Sequence, residues 1–209
     1  MAAAWKGLPV ELVDHPAGDR SGLVALSGQP LVPVVEIPGA GAGGAVEVLS
    51  DSPVILRRLE QLAPEPPLLP AGPHARATVE VFCDWFNRVW KRPPNAIEGE
   101  RAAAAAEGRP VDAAAVAAWG AEMAAALDLF EGLLAGGDHL FGSQLTLADV
   151  TAWPFLSYAV LGVPASDRAP FHHILVEFMP LGAGYPRLRA WVERLAASPA
   201  GRAGLAALE

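Results

Sequence analysis

Two short stretches, Val32-Pro33 and Asp51-Ser52, combine residue types that could bind a small charged ligand. Ser52 is a predicted helix N-cap, and Pro53 follows at the first helical position, where a missing N–H costs nothing. Free backbone N–H groups at a helix N-terminus attract an anion, and the Ser52 hydroxyl adds a donor. The Asp51 carboxylate can hold an ammonium group. The pair therefore suits the α-amino acid end of a ligand, which carries both charges.

Pro33 predicts an open strand edge. Proline cannot donate to a β-ladder, so one side of Val32-Pro33 should be unpaired. If the Val32–Pro33 bond is cis, the Val32 backbone would turn outward and could pair with a peptide-like ligand. An ordinary hairpin and a capped helix that bind no ligand remain the alternative.

Two β-rich runs position these residues. Residues 31–37 and 46–49 flank a Gly-rich turn and predict a hairpin, which leads into an apolar helix. The turn, residues 39–44, matches G-x-G-x-x-G, but a strand rather than a helix follows it, so nucleotide binding is disfavoured. Before the hairpin we expect the end of a helix closed by Gly7, then a short strand at residues 10–13. Residues 14–28 read as a polar connection with one irregular helix.

A Pro-rich segment predicts a boundary between two domains. We expect an N-terminal domain at residues 1–62, a linker at 63–73 and an all-helical domain at 74–209. In the helical part, the first helix should run from His74 to Lys91 and stop at Pro93-Pro94. A long connection with an alanine run should follow. Further helices are expected after the N-cap Asp112, after Thr146, and near residues 171–179 and 185–197.

The strongest local signal in the second half is Thr146 with Asp149. This spacing predicts a capping box, and Leu145 and Val150 are spaced for a hydrophobic staple. Pro154 should bend the helix that they start.

Val-Pro-Val before a hairpin, followed by Asp-Ser at a helix start, resembles the glutathione-binding half of cytosolic glutathione transferases. The Thr146–Asp149 capping box is similar to the one in the helical domain of that family. The resemblance implies an α+β fold: an N-terminal thioredoxin-like domain, here incomplete, followed by an all-α helical bundle. It also implies a cytoplasmic homodimer that uses glutathione in detoxification.

The resemblance implies a role for each matching residue. Val32, before the cis-proline Pro33, would pair with the cysteinyl backbone of glutathione. Asp51 and Ser52 would hold its γ-glutamyl end. Where the family often has Lys or Gln two residues before that proline, this chain has Leu31, and Gln29 is the candidate substitute. Trp85 and Trp90 lie on the helix that borders the pocket for the electrophilic substrate, so one of them is expected to line it.

The family's catalytic Tyr, Ser or Cys is not matched in this sequence. That residue follows the first strand, and the chain starts where the first helix of the family would be ending. Three explanations stay open: a start codon upstream of Met1, a non-catalytic relative, or a partner that supplies the missing strand. We expect a transferase that adds the glutathione thiolate to a small hydrophobic electrophile, or reduces one. The alternative is a scaffold or ligand-binding protein on the same fold.

The composition of the chain argues against several classes of partner and site. The formal net charge of −8 argues against nucleic-acid and anionic-membrane partners. The single cysteine, Cys83, lies in an apolar helical stripe, which favours core packing over a nucleophile. His172 and His173, with Glu177 four residues on, could suggest a metal pair, but no third ligand is evident and the zinc-protease pattern is absent, so we expect no metal. The absence of a leader pattern and of a disulfide pair favours the cytoplasm.

Overall fold

The computed structural model describes residues 1–13 and 19–206. The chain forms two compact units: an N-terminal unit, Ala2–Pro67, and a helical unit, Leu68–Glu209 together with Met1. The N-terminal unit is α+β. The described residues of the helical unit contain only helices, turns and one isolated β-bridge, between His139 and Gly142.

The N-terminal unit contains, in its described part, one hairpin with a 3₁₀ turn (Ala42–Gly44) between its strands, and three α-helices. The elements are α1 (Ala2–Trp5), α2 (Ser21–Ser27), β1 (Val34–Ile37), β2 (Glu47–Ser50) and α3 (Ser52–Leu62). The predicted hairpin and the helix end at Gly7 are confirmed: Gly7 has a φ of 66°, and the N–H of Leu8 donates to Ala3 O at 2.9 Å. Part of the predicted connection, residues 14–18, lies outside the described residues.

The predicted strand at residues 10–13 is wrong. These residues have no regular structure, and the sheet of the described residues has two strands, β1 and β2. A strand forms when a neighbour satisfies its backbone donors and acceptors, and residues 10–13 have no such neighbour. The side chains of Val10, Leu12 and Val13 remain 62 to 72% exposed.

A buried ion pair joins the two ends of the N-terminal unit. The Lys6 side chain is fully buried, and its ammonium contacts Glu60 of α3 and donates to Pro66 O at 2.9 Å. These contacts hold the end of α1 against α3 because an unpaired ammonium group in this place would be costly.

The helical unit begins with two consecutive long helices rather than the predicted helix and loop. Its elements are α4 (Pro73–Trp85), a π-helical turn (Phe86–Trp90), α5 (Arg92–Glu107), α6 (Ala113–Leu133), α7 (Leu147–Leu156), α8 (Tyr158–Leu161), α9 (Pro170–Phe178), α10 (Pro186–Ala197) and α11 (Pro199–Ala206). Pro93 and Pro94 lie in the first turn of α5, where proline is tolerated, and the alanine run continues the helix. The expected long connection there was therefore wrong.

The two predicted caps are confirmed. Asp112 accepts hydrogen bonds from the N–H groups of Ala114 and Ala115, and Thr146 and Asp149 form the capping box of α7. Asp149 is fully buried and also accepts from Leu140 N and from the Trp191 indole, at 3.0 and 2.9 Å. This carboxylate therefore ties the start of α7 to α10.

The core of the helical unit is rich in aromatic rings from several helices. Cys83 is buried there, and the Thr151 hydroxyl contacts its sulfur at 3.6 Å, as core packing predicted. By length and composition alone, the segment Ala113–Gly136 could cross a membrane. Core helices pass the same test, and Met123, Leu127 and Phe130 of this segment are buried.

Candidate functional site

The hairpin register brings the two predicted ligand-binding stretches to the same end of the sheet. β1 and β2 are antiparallel, with Val34 opposite Ser50 and Ile37 opposite Glu47. Paired residues of such strands have Cα atoms about 5 Å apart. Pro33 and Asp51 are the next residues beyond the Val34–Ser50 pair, so residues 32–33 and 51–52 emerge side by side. The Val32–Pro33 peptide bond is cis.

The N-cap of α3 is Asp51, not Ser52 as the sequence suggested. The carbonyl of Asp51 accepts the first helical hydrogen bond, from Ile55 N at 3.0 Å, and Ser52 is the first helical residue. Pro53 therefore takes the second position of the helix. The whole first turn tolerates proline because its N–H groups lack helical acceptors.

Asp51 has an unusual backbone conformation. Its φ is 74° and its ψ 119°, and among the described residues it is the one non-glycine with a positive φ. Such conformations cost about 1–3 kcal/mol and cluster at ligand-binding sites. The Asp51 side chain is exposed and makes no capping hydrogen bond. Its carboxylate is thus held at the hairpin end without being used for helix capping.

The start of α3 offers donors to an anion. Among the described residues, neither Ser52 N–H nor Val54 N–H donates to a backbone acceptor, and Pro53 has no N–H. The half-buried Ser52 hydroxyl lies at the same helix end. These donors and the positive end of the helix dipole favour a carboxylate. An ammonium group on the same ligand would meet Asp51.

Val32 and Gln29 differ in the hydrogen-bonding groups that they leave available for a ligand. Val32 is 61% exposed, and its backbone makes no hydrogen bond to the described residues. The Gln29 amide is used locally: its oxygen accepts from Leu31 N and its nitrogen donates to Leu31 O, both at 2.7 Å. Gln29 therefore orders the loop that leads to Val32. Neither the sequence nor the resemblance indicated this local closure.

The structure places Trp85 and Trp90 in the aromatic cluster of the helical unit. Trp90 is 4% exposed and stacks on Phe86, with ring centroids 4.3 Å apart. Its indole N–H is buried and has no hydrogen-bond partner in the described part of the chain. Trp85 is half-buried and contacts Phe82 and Phe86. The lining of a substrate pocket by either residue stays a prediction.

The histidine pair of α9 is engaged with other partners. His172 Nδ1 lies 2.6 Å from Asp167 Oδ2, and Glu177 forms a two-pronged ion pair with Arg101. In the described ranges, no group of three or more His, Cys, Asp or Glu side chains is placed to hold a metal ion.

Comparison with known proteins places both halves of the chain in the same family. Residues 1–67 match the family model described as "Glutathione S-transferase, N-terminal domain", and residues 113–194 match "Glutathione S-transferase, C-terminal domain". Together these matches cover more than half of the chain. A search of curated proteins found no match.

Solved structures with the same fold cover nearly the whole chain. A maleyl pyruvate isomerase, titled a bacterial glutathione S-transferase in the Zeta class, is 28% identical over 96% of this chain and 87% of its own, with a TM-score of 0.68. A glutathione S-transferase from Methylobacterium radiotolerans, in complex with glutathione sulfonate, is 26% identical over 97% and 85%, with a TM-score of 0.67. A glutathione transferase family member from Pseudomonas fluorescens, with two glutathione bound, is 19% identical over 98% and 85%, with a TM-score of 0.73.

The fold class predicted from the sequence is therefore confirmed: a thioredoxin-like N-terminal domain precedes a helical domain. The chain is a member of the glutathione S-transferase family.

Proposed function

We propose that this protein binds glutathione at the hairpin end and presents its thiol to a small hydrophobic electrophile. The observation that carries the proposal is the Val34–Ser50 register, which sets Val32-Pro33 beside Asp51-Ser52. Family membership supports a glutathione-transferase-like function in general, and two similar structures contain glutathione or glutathione sulfonate. The same membership supports a cytoplasmic homodimer active in detoxification as part of the proposal.

The charges of glutathione suit this end of the hairpin. Its γ-glutamyl carboxylate would accept from Ser52 N–H, Val54 N–H and the Ser52 hydroxyl, while its ammonium group would pair with Asp51. The exposed Val32 backbone offers one donor and one acceptor to the cysteinyl peptide, as in strand addition.

Transfer needs the thiol of glutathione as thiolate. The thiolate forms a new S–C bond with the electrophile, which loses a leaving group or takes up a proton. Residues 1–13 contain no Tyr, Ser or Cys that could stabilise the thiolate. Binding is therefore supported by named residues of this chain, whereas transfer is supported by family membership.

Ligand-induced stabilisation tests the binding step. Glutathione at 100 times its dissociation constant should raise the free energy of unfolding by about 2.7 kcal/mol. Asp51→Ala should abolish most of that gain, because losing a charge-assisted hydrogen bond costs about 1.5–3 kcal/mol. The matched control is Asp112→Ala, which removes another N-cap aspartate but lies in the helical unit. An equal glutathione response in wild type and Asp51→Ala would contradict the assignment.

Turnover distinguishes the transferase from the alternative of a non-catalytic ligand-binding protein. The assay follows conjugation of glutathione to 1-chloro-2,4-dinitrobenzene, in which chloride leaves as the S–C bond forms. Glutathione-dependent turnover that falls in Asp51→Ala supports the enzyme. Binding without turnover favours the ligand-binding protein.

A further inference from the structure

The helical unit contains a cavity of about 220 Å³ at the end of α8. The side chains that line it come from α8, the loop after it and α11: Ser157, Tyr158, Leu161, Val163, Pro164 and Leu205. Most of these are apolar. A dry apolar cavity of about 150 Å³ can hold benzene, so this space is sufficient for a somewhat larger single-ring molecule.

The Tyr158 side chain, which forms one wall of the cavity, is held in place by its neighbours. Its ring stacks on His172 with centroids 4.6 Å apart and an interplanar angle of 19°. The nearby Asp167 carboxylate is itself fixed by Ala169 N at 2.9 Å and by His172 Nδ1 at 2.6 Å. Desolvation and the Asp167 carboxylate raise the pKa of Tyr158 to about 12, so the wall stays uncharged. A rigid, neutral wall lowers the entropic cost of binding.

The opposite wall depends on a sharp turn after α8. Gly162 has a φ of 75°, a left-handed conformation that glycine adopts readily, and its N–H donates to Tyr158 O at 3.0 Å. Val163 and Pro164 follow and line the cavity. Leu161, at 45% exposed, lies where the cavity meets solvent.

One polar group in the lining is nearly without a partner. Ser157 is 5% exposed, and its hydroxyl donates to Pro154 O at 3.5 Å, the outer limit of a hydrogen bond. A buried hydroxyl gains from a better acceptor. A carbonyl oxygen in the cavity would provide one, whereas the nearby Asp167 carboxylate disfavours an anionic ligand.

We propose that this cavity is a binding site for a small, neutral, single-ring molecule that carries a carbonyl group. The ring would lie between Tyr158 and the side chains of Leu161 and Leu205, and the carbonyl would accept from Ser157 Oγ. All its lining residues belong to the helical unit, whereas the residues of the proposed glutathione half-site belong to the N-terminal unit.

The two tyrosines of the chain, Tyr158 and Tyr185, give a direct readout. In protein labelled with 3-fluorotyrosine, ¹⁹F NMR should show two resonances, and Tyr185→Phe identifies the one from Tyr158. Titration with 4-methylacetophenone, without glutathione, should shift the Tyr158 resonance saturably, with a dissociation constant of about 1 mM or tighter. The Tyr185 resonance is the internal reference, because its hydroxyl bonds to Asp128 on another part of the unit.

Leu161→Trp should fill the mouth of the cavity and abolish the shift. Leu129→Trp is the matched control, since Leu129 is also 45% exposed but lies on α6. If circular dichroism shows that Leu161→Trp does not fold, Leu205→Trp takes its place. A folded wild type without a saturable Tyr158 shift, or a shift that survives in the folded blocking variant, would overturn the proposal.

Ser157→Ala tests the ligand class. It should weaken 4-methylacetophenone binding about fivefold and leave the binding of toluene, which has no acceptor, unchanged. Equal affinities of wild type and Ser157→Ala for the ketone would overturn the assigned carbonyl contact. None of these results depends on glutathione, so failure here leaves the proposed function untouched.

Discussion

Val34 of β1 pairs with Ser50 of β2, and this pair is the last in the hairpin. Pro33 precedes Val34 and Asp51 follows Ser50, so both residues lie just beyond this pair. A hairpin shifted by one residue would move every side chain to the opposite face and separate these two stretches. The register is therefore the structural basis of the proposed glutathione half-site.

Replacing Asp51 with glycine should separate stability from binding. Glycine adopts the positive φ of 74° without the cost that aspartate incurs, although it also makes the unfolded chain more flexible. We expect Asp51→Gly to be as stable as wild type or up to about 1 kcal/mol more stable in urea unfolding. Its glutathione binding should nevertheless be weakened at least tenfold, because the carboxylate is gone. A less stable variant with intact binding would contradict both parts of this interpretation.

The contact between Gly120 of α6 and Phe178 of α9 should make alanine unfavourable in the middle of a helix. A Cβ at residue 120 would lie 2.2 Å from Phe178 Cδ1. Overpacking of this kind costs about 1–3 kcal/mol, more than the roughly 1 kcal/mol that alanine gains in helix propensity. Gly120→Ala should therefore lower the free energy of unfolding.

Gly99→Ala is the control for this substitution. Gly99 lies within α5, and a Cβ there would meet nothing within 4 Å. Thermal unfolding should show Gly99→Ala stabilised by up to about 1 kcal/mol. Equal stabilisation of both variants would show that Phe178 moves aside freely.

Removing one partner of the Lys6–Glu60 pair should lower the free energy of unfolding strongly, whereas replacing both partners together should lower it little. Glu60→Met leaves the fully buried Lys6 ammonium without its carboxylate partner, and should cost about 3 kcal/mol. Replacing both residues by methionine should restore stability to within about 1 kcal/mol of wild type. Denaturant unfolding of the two single variants and the double variant gives the coupling. If the double variant lost as much free energy of unfolding as the two single variants together, Lys6 and Glu60 would not be coupled.

Glu100 should make the stability of the helical unit depend on acid pH. A side-chain hydrogen bond from Arg109, followed by the amide of Asp112, lowers the pKa of Glu100 to about 2 from its ordinary value of 4.5. A lowered folded-state pKa stabilises the protein above pH 4.5, and the gain is lost as pH falls toward 2.

The difference in melting temperature between wild type and Glu100→Gln should therefore be present at pH 6 and shrink between pH 4.5 and 2. Glu193→Gln, an exposed substitution on α10, is the control for the general effect of removing a surface carboxylate. A difference that stays constant down to pH 2 would exclude Glu100 as its source.

Local signals in the sequence were sufficient to predict the two helix caps, at Asp112 and Thr146, and the hairpin. Asp112 and the Thr146–Asp149 box act within three residues, so their spacing alone predicts their hydrogen bonds. The same holds for the Gly-rich turn between β1 and β2.

Features that depend on distant residues could not be predicted in this way. The positive φ of Asp51 follows from how β2 enters α3, and no residue type in the sequence signals it. Residues 10–13 have strand propensity, but a strand also needs a neighbour. Pro93-Pro94 is compatible both with the end of one helix and with the start of the next. Here it starts α5, and the alanines that follow continue that helix.

The most direct test of the central claim is a calorimetric titration of the folded 209-residue chain with glutathione. The account predicts one-site binding that is lost or strongly weakened in Asp51→Ala and kept in Asp112→Ala. A well-folded sample that releases no binding heat at several temperatures would contradict the half-site, and the transferase proposal for this chain would have to be withdrawn.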